Sequence, residues 1–218
     1  MEIPIILDRE EVLAVARIAE HSEQYDDMIA LLKPYIEQKQ DDLDFEERNI
    51  LSVAFKNAVG MRRIAWRAAH KAASMYKYEK YGAQIRQYLQ KLEEECVEMC
   101  KDMLTLIQKH LLPKVKKFSQ DPESEVYFLK LQADYFRYVA EVGSSGDRVD
   151  KAKTRALNSY NSAIEISEQL TPADPIRLSL YLNFSVFCYE VYDQKDKAME
   201  IAKQGLQEAE ADLANIDK

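Results

Sequence analysis

Apolar residues recur at intervals of three and four along almost the whole chain. Near the N-terminus, Val12, Val15, Ala16 and Ala19 fall on one face, ahead of a polar cluster at residues 21–24. This spacing is typical of amphipathic helices that bury one face against their neighbours. The pattern predicts about eight helices joined by short loops, without the ~34-residue repeat of tetratricopeptide proteins.

Capping residues and helix breakers set the predicted boundaries. Asp44 and Glu47 have the spacing of a capping box, and Asp121 precedes Pro122, a residue that helices tolerate at their first position. The predicted helices lie within a single domain of residues 1–218 and span about residues 9–20, 25–38, 45–81, 82–110, 122–142, 147–170, 176–192 and 195–215.

Three short segments interrupt the helical pattern. Pro34 predicts a kink in the second helix, because proline removes a backbone hydrogen bond. Pro113 and the lysine-rich residues 114–117 predict the end of the fourth helix. Residues 143–146 are the clearest loop, and Asp147 after them is the predicted N-cap of the sixth helix.

Composition supports an all-α fold and narrows the classes of function. Only five glycines and six prolines occur in 218 residues, too few for the many turns of a β-rich fold. The net charge of −8 argues against a nucleic-acid-binding protein. No apolar run approaches the ~20 residues of a membrane span, and three cysteines without an export signal fit a reducing compartment. We expect a protein of the cytoplasm, with the nucleus as a further location, that needs no cofactor.

Polar residues recur seven positions apart on three otherwise apolar segments. Seven residues are almost two helical turns, or about 10 Å, so both members of a pair share a helix face. One such stripe alone is more often a solvated face, whereas three together indicate a polar-lined groove. The pairs are Lys56 and Arg63, Lys130 and Arg137, and Asn183 and Glu190.

The motifs of common catalytic and metal sites are missing from the sequence. The residues three positions before the histidines are Ile18, Arg67 and Ile107, which excludes the Glu-x-x-His pairs of di-iron bundles. Cys96 and Cys100 lie one turn apart, but without a second pair they are better interpreted as free thiols than as zinc ligands. Neither a glycine-rich phosphate loop nor a nucleophile with a base at usable spacing is present, so an enzyme is not expected.

Several segments resemble those of the 14-3-3 family of phosphopeptide-binding adaptors. The similarity extends in order along nearly the whole chain and is carried by residues 48–57 (RNILSVAFKN), 134–141 (DYFRYVAE), 183–190 (NFSVFCYE), 25–28 (YDDM) and 175–178 (PIRL). The resemblance implies an all-α antiparallel bundle with a concave groove. It also implies a non-enzymatic adaptor that docks phosphoserine or phosphothreonine segments of client proteins.

The resemblance assigns site residues in two sets. Lys56, Arg63 and Arg137 would surround the phosphate, and the Tyr138 hydroxyl would donate a further hydrogen bond. A phosphoseryl group carries about −1.5 to −2 charges; arginine binds such oxygens bidentately, whereas lysine acts as a point charge. The groove around the peptide would be lined by Lys130, Leu182, Asn183, Val186 and Glu190, with Asn183 holding the peptide backbone.

The resemblance further implies a homodimer, in which helices at about residues 8–40 pack on the third and fourth helices. Asp27 and Lys91 keep the charges of one family salt bridge. Gln24 stands where the family commonly has an arginine opposite the position of Glu95, so a second bridge, worth about 0–1 kcal/mol, is expected to be missing. The positions matching the interface are Ile18, Ser22, Asp27, Ala65, Ala69, Tyr88, Lys91 and Glu95.

The C-terminus departs from the family pattern. Family members usually have a ninth helix that helps to clamp the peptide, whereas this sequence ends at Lys218, after groove helices at about residues 45–192 and a last helix at about 195–215. An alternative therefore stays open: a helical scaffold that binds unphosphorylated acidic or apolar peptide segments.

Overall fold

The computed structural model of the chain describes residues 8–143 and 146–216. Every regular element in these two ranges is helical, which confirms the predicted all-α class. The main helices of this described part are α1 (Arg9–His21), α2 (Tyr25–Gln38), α3 (Phe45–Ala73), α4 (Gly82–Leu106), α5 (Pro122–Val142), α6 (Asp147–Ser167), α7 (Pro175–Glu190) and α8 (Lys195–Ile216). They fall into two compact units, residues 1–114 and 115–218. The single domain of residues 1–218 stays a prediction.

The first unit contains α1 to α4, each of which packs on the next helix in the chain. Its core takes fully buried side chains from every helix, including Ala16, Met28, Phe55 and Met103. The predicted capping box of α3 is confirmed. The Asp44 carboxylate accepts from the Glu47 N–H at 2.9 Å, and the Glu47 carboxylate accepts from the Asp44 N–H at 2.8 Å.

Helix α3 is shorter than predicted, because it ends at Ala73 and not near Tyr81. Met75 takes an extended conformation with ψ 133°, and Tyr76–Tyr81 form a 3₁₀ helix before α4 begins at Gly82. A 3₁₀ helix has three residues per turn, close to the 3.6 of an α-helix. The spacing of apolar residues therefore does not reveal where the α-helix ends and the 3₁₀ helix begins. The predicted uninterrupted helix over residues 45–81 is therefore wrong.

The helical path also continues past Pro113, where the sequence predicts an end. Wide π-helical turns at Ile107–Leu111 and Val115–Ser119 flank a short α-helical segment, Leu112–Lys114. In the first of these turns, the Leu112 N–H donates to the carbonyl of Ile107, five residues earlier. Proline cannot donate the usual i→i−4 bond, and the longer i→i−5 bonds beside it keep the chain helical.

The second unit contains α5 to α8, with extensive packing of α5 on α6 and of α7 on α8. Asp121 caps α5 as predicted, since its carboxylate accepts from the Ser124 N–H at 3.0 Å. An aromatic cluster joins α6 to α7: the ring centroid of Tyr160 lies 5.2 Å from those of both Phe184 and Phe187.

The start of α6 differs by one residue from the prediction. Gly146, not Asp147, occupies the N-cap position, with a φ of 101° that favours glycine. Asp147 is the first helical residue and pairs with Lys151 at 2.5 Å. Residues 144–145 of the predicted loop lie outside the described residues. Pro34 lies inside α2, which continues to Gln38.

Three further observations limit the chemistry of the described part. Cys96, Cys100 and Cys188 form no disulfide among the described residues, and each is at most 1% exposed. None of the described helices combines the length and apolar character of a membrane span, and no group of three or more His, Cys, Asp or Glu side chains in those ranges is placed to hold a metal ion.

Candidate functional site

Three charged residues of α5 lie on one face of that helix. Lys130, Asp134 and Arg137 are spaced four and three residues apart, the intervals at which helical side chains meet. Their side chains are only 13%, 5% and 9% exposed. Charges withdrawn from water to this degree require partners, because desolvation of an unpaired charge is costly.

The carboxylate of Asp134 is the centre of this charged group. Its Oδ1 accepts from the Tyr160 hydroxyl at 2.5 Å and from Arg137 Nη2 at 3.4 Å. Its Oδ2 accepts from Asn183 Nδ2 at 2.8 Å and from Lys130 Nζ at 3.5 Å. Asp134 thereby connects α5 with α6 and α7, and joins three of the residues that the sequence assigns to the groove or the phosphate.

Arg137 is a buried cation with incomplete hydrogen bonding. Burial opposes its charge, but Tyr160 and Asp134 raise its pKa above the ordinary value, so the guanidinium stays protonated. Its Nη1 lies 3.8 Å from the Glu190 carboxylate, beyond hydrogen-bonding distance, and its Nε has no hydrogen-bond partner among the described residues. The ring centroid of Tyr138 lies 4.8 Å from the guanidinium carbon, a cation–π distance.

Helix α7 carries the remaining predicted groove residues of the second unit. Leu182 is 60% exposed, Val186 and Asn183 are half-buried, and Glu190 is exposed. Leu182, Val186 and Glu190 are four residues apart in turn and therefore share a helix face. The second unit thus brings together Lys130, Arg137, Asn183 and Glu190, with apolar side chains beside them.

Lys56 and Arg63 lie on α3 in the first unit. Their spacing of seven residues on an unbroken α-helix places both on one face, as predicted. Lys56 is exposed and Arg63 is half-buried. No acidic side chain among the described residues of the first unit forms a salt bridge with Lys56. The convergence of Lys56 and Arg63 with Arg137 and Tyr138 on one phosphate stays a prediction.

The predicted dimer positions are largely on the surface of the first unit. Ile18 is 67% exposed and Tyr88 is 55% exposed, so both present apolar surface to solvent. Lys91 lies 3.6 Å from Glu95 along α4. Among the other positions, Ala69 is half-buried, whereas Ser22, Asp27 and Ala65 are exposed.

An open pocket of about 440 Å³ adjoins these positions in the first unit, and Gln24, Ala65 and Glu95 contribute to its lining. Arg62 and Asp26 form a bidentate pair at its edge, with N–O distances of 3.0 and 2.8 Å. Asp26 is thus the partner of an arginine.

Sequence reasoning misses Asp134 and Tyr160 as parts of the site. The local spacing of Asp134 from Lys130 and Arg137 is a signal that could identify the acid. Tyr160 offers no such signal, because its contact with Asp134 crosses from one helix to another over 26 residues.

Comparison with known proteins extends the similarity over both units. The chain matches the family described as 14-3-3 protein over residues 15–218. It is 42% identical over 213 residues to a 14-3-3 protein of Giardia intestinalis, covering 95% of this chain and 84% of the relative.

Two animal relatives give the same result. The chain is 40% identical over 214 residues to 14-3-3 protein beta/alpha of Homo sapiens, covering 97% of this chain and 85% of the relative. It is 41% identical over 214 residues to 14-3-3 protein zeta of Bombyx mori, with coverage of 97% and 84%.

Proposed function

The chain belongs to the 14-3-3 family, and we propose that it acts as a non-enzymatic adaptor that docks phosphoserine or phosphothreonine segments of client proteins. Lys56, Arg63, Arg137 and Tyr138 would hold the phosphate. Lys130, Leu182, Asn183, Val186 and Glu190 would line the groove for the rest of the peptide. The expected place of action is the cytoplasm, and also the nucleus.

The observation that carries the proposal is the buried, incompletely bonded guanidinium of Arg137. A buried donor without an acceptor costs about 1–3 kcal/mol. Arg137 Nε has no acceptor among the described residues, and the guanidinium otherwise has a long hydrogen bond to Asp134 at 3.4 Å and an ion pair with Glu190 at 3.8 Å. A phosphate dianion would supply strong acceptors in the bidentate geometry that arginine prefers. The charge is permanent, so the donor is available at any physiological pH.

A titration with synthetic peptides tests the proposal. We expect an arginine-rich phosphoserine peptide to bind with a Kd of about 1 μM or tighter, and its unphosphorylated form to bind far more weakly. Arg137→Ala should abolish the difference. Arg155→Ala is the matched control, since Arg155 is an exposed arginine of the same unit that lies over the ring of Phe136, and it should leave binding unchanged.

The exposure of Leu182 favours the second candidate, a scaffold for unphosphorylated acidic or apolar segments. This side chain is 60% exposed although it is apolar, and Lys130 on the neighbouring α5 would attract acidic residues. The same titration at two salt concentrations separates the candidates. Equal affinity for the phosphorylated and unphosphorylated peptides would support the scaffold and reject phosphate recognition.

We also propose a homodimer formed through the predicted positions of the first unit. Ile18 and Tyr88 expose apolar surface that a second copy would cover. A dimer carries two sites, so a client with two phosphorylated segments would gain affinity from their linkage.

A further inference from the structure

We propose that Asp134 is a positioning residue of the phosphopeptide site, holding the guanidinium of Arg137 and the amide of Asn183 in the orientations that a ligand requires. This inference rests on the proposed function and adds to it a residue that touches no ligand. The inference is based on one buried carboxylate, 3% exposed, that accepts hydrogen bonds from side chains of three helices.

The acceptor capacity of Asp134 is fully used by its own chain. An ionised carboxylate offers about four lone-pair sites and no donor. Tyr160 and Arg137 occupy Oδ1, while Asn183 and Lys130 occupy Oδ2. With no free acceptor and a charge that repels phosphate, Asp134 is suited to orient other groups and not to bind the ligand itself.

The orientation of the Asn183 amide follows from this chemistry. Because the Asp134 carboxylate can only accept, Asn183 must direct its NH₂ group toward Asp134, at 2.8 Å. Its carbonyl oxygen then points the other way and can accept a backbone N–H of a bound peptide. An amide without this anchor can rotate by about 180° and offer a donor in place of the acceptor.

The Asp134 carboxylate also restrains Arg137 but does not use all the hydrogen-bond donors of its guanidinium. Arg137 Nη2 approaches Oδ1 at 3.4 Å, and the much closer Tyr160 hydroxyl, at 2.5 Å, holds the carboxylate in place. Burial and Asp134 raise the pKa of Tyr160 well above its ordinary value, so the phenol stays protonated and keeps donating. Lys130 and Arg137 are balanced by Asp134 and Glu190, so the second unit would attract a dianionic group through the directed donors of Arg137 and not through a net positive charge.

Binding of three peptides to three proteins tests the inference, with the full chain used in each case. The parent ligand is an arginine-rich phosphoserine peptide, and two analogues replace one backbone amide by an ester, either just before or just after the phosphoserine. An ester replaces one N–H donor by an oxygen and also weakens the carbonyl of the same bond as an acceptor, so the ester effect is compared between protein variants and not taken alone. Each peptide is titrated into the wild type, Asp134→Asn and Asn183→Ala.

We expect one of the two esters to weaken binding to the wild type by about 2- to 10-fold, the effect of one hydrogen bond. In Asp134→Asn the same ester should have an effect below about twofold, as in Asn183→Ala, because the Asn183 amide is no longer fixed. Asp134→Asn should also weaken the parent peptide by about tenfold or more, since Arg137 loses its charged partner.

The outcomes are separable. A wild type that does not distinguish phosphorylated from unphosphorylated peptide rejects the proposed function, and this inference with it. A wild type that does distinguish them, but shows an equal ester effect in Asp134→Asn or no ester effect at all, rejects this inference alone. A generally weakened fold would lower the affinity for all peptides by one factor and would leave the ester effect unchanged.

A second variant covers the case in which Asp134→Asn does not fold, which circular dichroism and thermal unfolding would reveal. Tyr160→Phe keeps the carboxylate and removes its shortest hydrogen bond. It should reduce the ester effect in the same direction by a smaller factor. An undiminished ester effect in folded Tyr160→Phe would contradict the positioning role.

Discussion

Gly205 of α8 packs directly against Tyr181 of α7: a methyl group at position 205 would lie 2.8 Å from both Cβ and Cγ of Tyr181. The Cβ position is fixed by the backbone of α7, so this contact cannot be relieved by a rotamer change alone. We expect Gly205→Ala to destabilise the second unit by about 1–3 kcal/mol, the usual cost of overpacking. Urea unfolding of the variant measures this change.

Gly60 provides the matched control for that substitution. It lies inside α3, and a methyl group there would meet no atom within 4 Å. Gly60→Ala should therefore stabilise the chain by about 0.5–1 kcal/mol, because alanine loses less conformational entropy than glycine on forming a helix. Similar effects of the two substitutions would show that the packing of α7 on α8 is described wrongly.

Arg177 of α7 forms hydrogen bonds that connect it to α6 and α8 in the second unit. Its Nη1 donates to the carbonyls of Ser167 and Leu170 at 3.1 and 2.9 Å, and its Nη2 donates to Glu208 at 2.7 Å. Arg177→Lys cannot reproduce this fork, and we expect a loss of about 2–4 kcal/mol in the free energy of unfolding.

Lys151→Ala is the control, because it removes a salt bridge that is exposed to solvent. Lys151 and Asp147 are 66% and 80% exposed in their side chains, so removing this pair should cost about 0–1 kcal/mol. Both variants can be followed by thermal unfolding. A loss for Arg177→Lys no larger than that for Lys151→Ala would mean that burial of the Arg177 network does not stabilise the unit.

Asp44 makes the first unit sensitive to acid. Burial alone would raise its pKa, but the Glu47 N–H and the Arg9 guanidinium, at 2.5 Å, hold the pKa below the ordinary value. The folded form therefore binds this proton less readily than the unfolded form. Stability from Asp44 is present above about pH 4 and is lost as the pH falls through the lowered folded pKa.

Asp44→Asn isolates this charge, because asparagine caps helices about as well as aspartate. The variant should be less stable than the wild type near pH 7, by about 1 kcal/mol or less since the pair is half exposed. The difference should shrink as the pH falls below about 4 and vanish once the pH is below the lowered folded pKa of Asp44. Asp41→Asn controls for the loss of one exposed charge, and urea midpoints across the pH range give the comparison.

The proposed dimer predicts different results for two exposed apolar residues of the first unit. Ile18, 67% exposed, is one of the predicted interface positions, whereas Phe45, 77% exposed, is not. Ile18→Asp should weaken self-association by about tenfold or more, because it places a charge in a buried contact. Phe45→Asp should leave it unchanged. Sedimentation equilibrium of both variants measures the constants, and equal behaviour would contradict this interface.

The helices are predictable from the sequence where local signals coincide. Asp44 and Asp121 cap their helices as their neighbours suggest, since capping is decided within four residues. The N-cap of α6 is predicted one residue late, at Asp147 instead of Gly146. The errors in helix extent lie at Tyr76–Tyr81 and Pro113, where 3₁₀ and π-helical turns preserve a helical pattern while changing the hydrogen bonding. Apolar spacing alone cannot distinguish these turns from an α-helix.

The residues of the candidate site also differ in whether a local sequence pattern predicts them. Lys130 and Arg137 can be identified by spacing along one helix, and the family resemblance adds Asn183. The role of Asp134 depends on hydrogen bonds to Tyr160 and Asn183, which lie 26 and 49 residues away in the chain. Contacts of this range are set by the packing of α5 on α6 and α7, and leave no local pattern in the sequence.

Because the three thiols are buried, the rates at which they react report how fast the structure around them opens. Thiol reagents attack the solvent-exposed thiolate, so Cys96 and Cys100 in α4 and Cys188 in α7 can react only when their surroundings open. Burial also raises the pKa of Cys188, which slows its reaction further. Peptide mapping of partly labelled chains would separate the two groups of cysteines. The native chain therefore carries chemical reporters in each unit, from which their separate opening rates can be measured without an introduced label.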